Sequence, residues 1–171
     1  MRRTVLALIL PALIAAAPAY GQQPPAPDNT RDLLLAGWND IGEKVVKLAE
    51  EFPENKFDYK PVDSVRTFGD VLRHLAFWNQ YVAKAARGEK PDGKANELPK
   101  AQYASKAALV SVLKSSLADS AAALKKMPPS PETRATGLFV SFIGHSSEHY
   151  GQLVVYYRMN GIVPPASRGS N

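Results

Sequence analysis

Residues 130–161 read SPETRATGLFVSFIGHSSEHYGQLVVYYRMNG. Ser130 suits an N-cap, Pro131 the first helical position and Glu132 the first turn. Gly161 suits the position just past a helix end, and Pro164-Pro165 forbid continuation. Between them Leu138, Phe142, His145, His149, Gln152, Tyr156 and Met159 recur at spacings of three and four. That period predicts one long amphipathic helix to Asn160. Its seam carries two histidines and a glutamine where apolar residues are expected, and such conflicts tend to mark functional sites.

Three further helices follow from the same reading. Leu34, Trp38, Ile41, Val45, Leu48 and Phe52 mark a seam from Thr30 to Phe52, stopped by Pro53. Thr67 and Asp70 form a capping-box pattern that opens a second helix, with Val71, Leu75, Trp78 and Val82 on its buried face. The pattern fades at Ala86-Arg87-Gly88, and the following RGEKPDGKANELPK is a loop. A third helix is expected from about Ala101 to Met127, with Val110, Leu113, Leu117, Ala121 and Leu124 as its seam and Pro128-Pro129 as its end. Four amphipathic helices and no convincing strand predict an all-α four-helix bundle. The long connection after the first helix leaves room for a crossover.

The N-terminus reads as a secretory signal over residues 1–21. Arg2 and Arg3 precede an apolar run from Val5 to Ala17, and small residues follow. Cleavage is expected after Gly21, with Ala19 as the alternative. The apolar run is short for a span and broken by Pro11, which disfavours a membrane anchor. The mature protein is therefore expected in the periplasm or secreted. Residues 22–29 (QQPPAPDN) form a Pro-rich tether, 30–162 the bundle and 163–171 a tail. There is no cysteine, so neither a disulfide framework nor a lipid-anchored cysteine is available. The formal charge of +5 is dispersed, which gives little support to a nucleic-acid partner.

The chain holds three histidines. His145 and His149 lie one helical turn apart on one face. His74 lies roughly 80° from the centre of the second helix's stripe, where it can reach a neighbour. A three-His site with open positions is the pattern of a catalytic metal. On spacing alone, a pair of hydrogen-bonded core histidines explains the seam equally well. HSSEH also matches the inverted zinc-peptidase motif H-x-x-E-H, but no acidic residue follows His149 to complete that ligand set. Glu148 is the acid nearest the pair: a base beside bound water, an acceptor for an imidazole, or a solvated residue. Asp70 either caps its helix or orients His74. Gln152 continues the seam as a pocket candidate. Trp38, Trp78, Tyr150, Tyr156 and Tyr157 either wall a substrate site or fill the core.

Taken together, RTFGDVLRHLA (66–76), HSSEHYGQL (145–153) and RMNGIVPPAS (158–167) resemble the DinB-like superfamily of DNA-damage-inducible and YfiT-type metalloenzymes, over residues 33–167. The resemblance implies a four-helix bundle with a crossover connection. It implies a divalent metal, zinc or nickel, held by His74, His145 and His149. It implies thiol-dependent transferases or hydrolases acting on small molecules, and it allows a homodimer. Two departures bear on the substrate. A secretory leader removes this chain from the cytoplasm, where low-molecular-weight thiols are concentrated, so a hydrolase fits better than an S-transferase. Tyr150 stands where many relatives carry Arg. The alternative from another class is a non-catalytic bundle that binds a metal or small ligand in stress response.

Overall fold

A computed structural model of the chain describes residues 30–127 and 134–169. The leader, the tether and the cap expected at Ser130, Pro131 and Glu132 lie outside the described residues. Four helices form: α1 (Thr30–Glu51), α2 (Phe68–Ala86), α3 (Lys106–Lys126) and α4 (Arg134–Met159), with short 3-10 turns at Glu54–Lys56 and Pro165–Ser167. No strand is found among the described residues, and the class is all-α, as expected.

Side-chain pairs set the direction of each helix. Asn79 meets Ser116, and Arg87 meets Asp119, so α2 and α3 run parallel. The Tyr157 hydroxyl donates to the Leu48 carbonyl, and Gly37 lies against Ile143, so α1 and α4 are also parallel. Trp38 meets Ser120, and Glu50 meets Lys114, which makes α1 antiparallel to α3. Around the bundle the order is α1, α3, α2, α4, with α1–α2 and α3–α4 as diagonals. Parallel α2 and α3 require a connection that returns along the bundle's length. That crossover is the segment 87–105, rather than the connection after α1. On the way it lays Leu98 against Arg73, where the Leu98 amide donates to the Arg73 carbonyl at 3.4 Å. Residues 52–67 instead cross one end diagonally, where Phe52, Phe57, Phe68 and Tyr157 pack together. At the other end Trp38 meets Phe139 edge-on at 4.9 Å, beside Val82, Leu124 and Met127.

Local chemistry explains the helix starts. The Thr67 hydroxyl accepts from the Asp70 amide at 3.1 Å, and Asp70 Oδ2 accepts from the Thr67 amide at 3.4 Å, completing the expected capping box. α3 begins at Lys106 rather than Ala101. Gln102 and Tyr103 turn back onto the Pro99 carbonyl, and Ser105 takes the cap. The buried face of α3 also differs from the seam expected. Leu109, Leu113, Ser116, Ser120, Ala123 and Leu124 face inward, while Val110, Leu117 and Ala121 are half-buried. The two serines can be buried because each is satisfied. Ser116 donates to the Leu113 carbonyl and accepts from Asn79; Ser120 donates to the Ser116 carbonyl and accepts from the Trp38 indole.

α4 is corrected in the same way. Its most buried residues are Thr136, Phe139, Ser146, Leu153, Tyr156 and Tyr157. Leu138, Phe142, His145, His149 and Gln152 are half-buried, and Met159 is exposed. α4 packs on α1 and α2 at once, so its apolar face is wide. The histidine line is the flank turned towards α2. By length and composition alone α3 is apolar enough to cross a membrane. Its inward face is spent on α1 and α2 within the bundle.

Candidate metal centre

His74 projects from the middle of α2, and His145 and His149 from the facing flank of α4. The three rings converge, with centroids 4.6–4.9 Å apart. One nitrogen of each lies within 4.8 Å of the others. His74, expected at the edge of its stripe, is only 4 % exposed. The crossover segment covers it.

Hydrogen bonds fix two of the three tautomers. His74 Nδ1 lies 2.5 Å from the Asn96 carbonyl oxygen. A carbonyl only accepts, so Nδ1 carries the proton and Nε2 presents a bare lone pair. Tyr156 donates its hydroxyl proton to the Arg66 carbonyl at 2.8 Å and accepts from Gln152 Nε2 at 2.7 Å. Gln152 therefore turns Oε1 towards His149 Nδ1, at 2.9 Å, and that nitrogen must donate. His149 Nε2 is bare as well. His145 Nε2 stands 2.9 Å from His74 Nε2, and His145 Nδ1 is buried without a hydrogen-bond partner among the described residues.

The donor set fits a divalent cation. Two bare acceptors, on His74 and His149, face a third imidazole that carries one proton, and one proton cannot satisfy both. A cation would accept all three lone pairs at once, with the His145 proton on Nδ1. The 2.9 Å between two ring nitrogens brings both within reach of one ion. Electrostatics favour the neutral donors. Burial, helped by the charges of Arg66, His149 and His145, pushes His74 down to about 4 against the pull of the Asn96 carbonyl. Burial also lowers His145, with His149 and Arg66 adding to it and Glu148 opposing.

The remaining candidates separate. Trp78 belongs to the site: its indole N–H donates to Asn96 Oδ1 at 3.1 Å, and its ring meets His74 and His145 edge-on and stacks on Phe142. Gln152 and Tyr156 hold His149 as described. Asp70 makes no bond to His74: its oxygens are taken by Thr67 and Arg73, and although burial pushes its carboxyl up, these two partners together hold it below the ordinary range. Glu148 is exposed beside His145. Tyr150 lines a cleft of about 370 Å³ between α1, α4 and the C-terminal turn, with Lys44, Glu51 and Arg168, and none of the three histidines borders that cleft. Trp38 and Tyr157 are core residues, Trp38 near the opposite end and Tyr157 beneath Phe52.

Three participants escape the sequence reading: Asn96, Arg66 and Glu97. Asn96 has φ 60°, the one positive value at a non-glycine residue among those described. Asparagine tolerates that left-handed conformation better than most residues. Its presence in KANELP is the signal that was available.

Residues 39–153, more than half of the chain, match the DinB superfamily. No curated protein matches the sequence.

Proposed function

This chain belongs to the DinB superfamily, and from that premise we propose that it is an exported metal-dependent hydrolase of small molecules. The observation that carries the proposal is the convergence of three imidazoles, two of them held by their hydrogen-bond partners in the tautomer that exposes Nε2. His74, His145 and His149 hold the ion, with zinc or nickel as its identity. A divalent ion there supplies Lewis acidity and makes a water molecule acidic enough to attack near neutral pH.

The chain's own residues do the rest. Asn96 and Gln152 keep His74 and His149 oriented and deprotonated at Nε2. Trp78 and Phe142 wall one side and exclude water. Glu148, exposed and one turn from His145, is the carboxylate we assign as general base. The dispersed surface charge argues against a nucleic-acid partner. Family resemblance brings with it a homodimer, which sedimentation equilibrium tests.

The test is turnover by the metal-loaded mature protein on a panel of small esters, amides and thiol adducts. Hydrolysis that disappears in His145→Ala supports the proposal, and thiol-adduct turnover alone replaces it with a transferase. N-terminal sequencing of the exported chain checks cleavage after Gly21.

One observation favours a second reading, a bundle that binds metal without catalysis. The metal-binding group among the described residues contains no carboxylate, and Asp70 is diverted to Arg73. Stoichiometric metal with no turnover across the panel selects that reading.

A further inference from the structure

Two chains of contacts leave the histidine cluster in opposite directions and meet at one residue. From His149 the first runs through Gln152 and the Tyr156 hydroxyl to the main-chain carbonyl of Arg66, by bonds of 2.9, 2.7 and 2.8 Å. From His74 the second runs to the Asn96 carbonyl, at 2.5 Å, and along the backbone to Glu97, whose Oε2 lies 3.4 Å from Arg66 Nε. Arg66 thus closes a ring that begins and ends on two of the three histidines. Its backbone is fixed from the α4 side and its guanidinium from the crossover side.

The guanidinium is not consumed by that role. The Arg66 and Glu97 side chains are 36 % and 41 % exposed, and Glu97 meets only Nε, leaving the terminal nitrogens of the fork. A half-exposed ion pair of this kind is worth little by itself and can be exchanged. The field at the site also asks for an anion. Three neutral imidazoles cancel none of the charge of a divalent ion held between them, and Arg66 adds to that charge. Arg66 disfavours added positive charge at both His74 and His145, and at His145 the carboxylate of Glu148 opposes it.

We infer that Arg66 binds an oxyanion, a carboxylate or a phosphate group, carried by the molecule that occupies the histidine site, and that Glu97 holds the guanidinium in register until that anion displaces it. Guanidinium matches both groups with a planar pair of donors. The substrate class of the site is then a small anionic molecule. This inference rests on metal occupancy of the three histidines.

The experiment uses cobalt(II)-loaded mature protein, whose visible absorption reports the histidine site. Acetate and inorganic phosphate are titrated in separate arms. A saturable change in the cobalt bands with either anion is expected, and the arm that responds identifies the group. Arg66→Gln is expected to weaken that anion by about tenfold or more, the loss of a charge-assisted contact. Arg66→Lys recovers part of it. Glu97→Gln leaves Arg66 in place, removes its competitor and is expected to tighten binding several-fold, which a purely structural role would not do. The cobalt spectrum of each variant shows that its site is intact. No response to either anion, equal affinity in Arg66→Gln and wild type, or no tightening in Glu97→Gln overturns the inference. A wild-type chain that takes up no cobalt overturns the metal reading and this inference with it, whereas normal uptake with unaltered anion affinity in Arg66→Gln overturns this inference alone.

Discussion

The carbonyl of Asn96 accepts from His74 Nδ1 at 2.5 Å, while the side-chain oxygen of the same residue accepts from the Trp78 indole. One left-handed residue therefore fixes both the tautomer of a histidine in the candidate metal centre and the ring beside it. Asn96→Ala removes the Trp78 contact and makes the left-handed backbone costly, so the carbonyl should leave His74. Metal affinity, measured by competition with a chromophoric chelator, should fall about 10–100-fold, the usual cost of losing such an outer contact. Asn96→Gly keeps the backbone conformation and should lose less.

Tyr156→Phe removes the hydroxyl that joins Gln152 to the Arg66 carbonyl. The ring stays, but two polar groups lose their partner. Denaturant unfolding should show a loss of about 1–3 kcal/mol, and metal should bind more weakly because Gln152 is freed to turn away from His149.

Trp38 fills the other end of the bundle, packing on Phe139 and donating to Ser120. Trp38→Ala should cost about 3–5 kcal/mol in thermal or denaturant unfolding. Trp38→Phe should cost less, chiefly the unmatched Ser120 hydroxyl. Neither change should alter metal stoichiometry, because Trp38 packs on Phe139 and donates to Ser120 rather than touching any of the three histidines.

Acid should destabilise the metal-free protein. His74 stands near 4 when folded and near 6.5 when unfolded, and His145 is shifted in the same direction. Between those values the unfolded chain binds more protons, so stability rises with pH. The midpoint of thermal unfolding should fall as pH drops from about 6.5 towards 4, then change little on account of these groups. His74→Gln should flatten that slope. A bound divalent ion competes with protons for the same nitrogens and should move the whole transition to lower pH.

Much of this site is legible from residue spacing, and the reasons for the misses are physical. The His145–His149 spacing and the Thr67–Asp70 capping box are local, so periodicity and turn chemistry expose them. Asp70 had two available roles, and only the tertiary position of Arg73 decides between them. The inward face of α4 departs from its three-four seam because the helix packs on two neighbours at once, which widens its stripe and turns the histidines to one flank. The serine face of α3 hides from a hydrophobic pattern because its polarity is satisfied internally. Asn96, Arg66 and Glu97 sit on connections, where no period links them to the helices they serve. The crossover fell on the second connection because α2 and α3 run parallel, and no local signal reports relative direction.

The central claim is that His74, His145 and His149 together hold one divalent ion. Its most direct measurement is the metal content of the mature protein after metal-replete purification and exhaustive dialysis, for wild type and for His74→Ala, His145→Ala and His149→Ala. One ion per wild-type chain, falling towards zero in each folded variant, is the predicted result. Wild-type protein with no stoichiometric divalent metal, or variants that retain it in full, would contradict the claim.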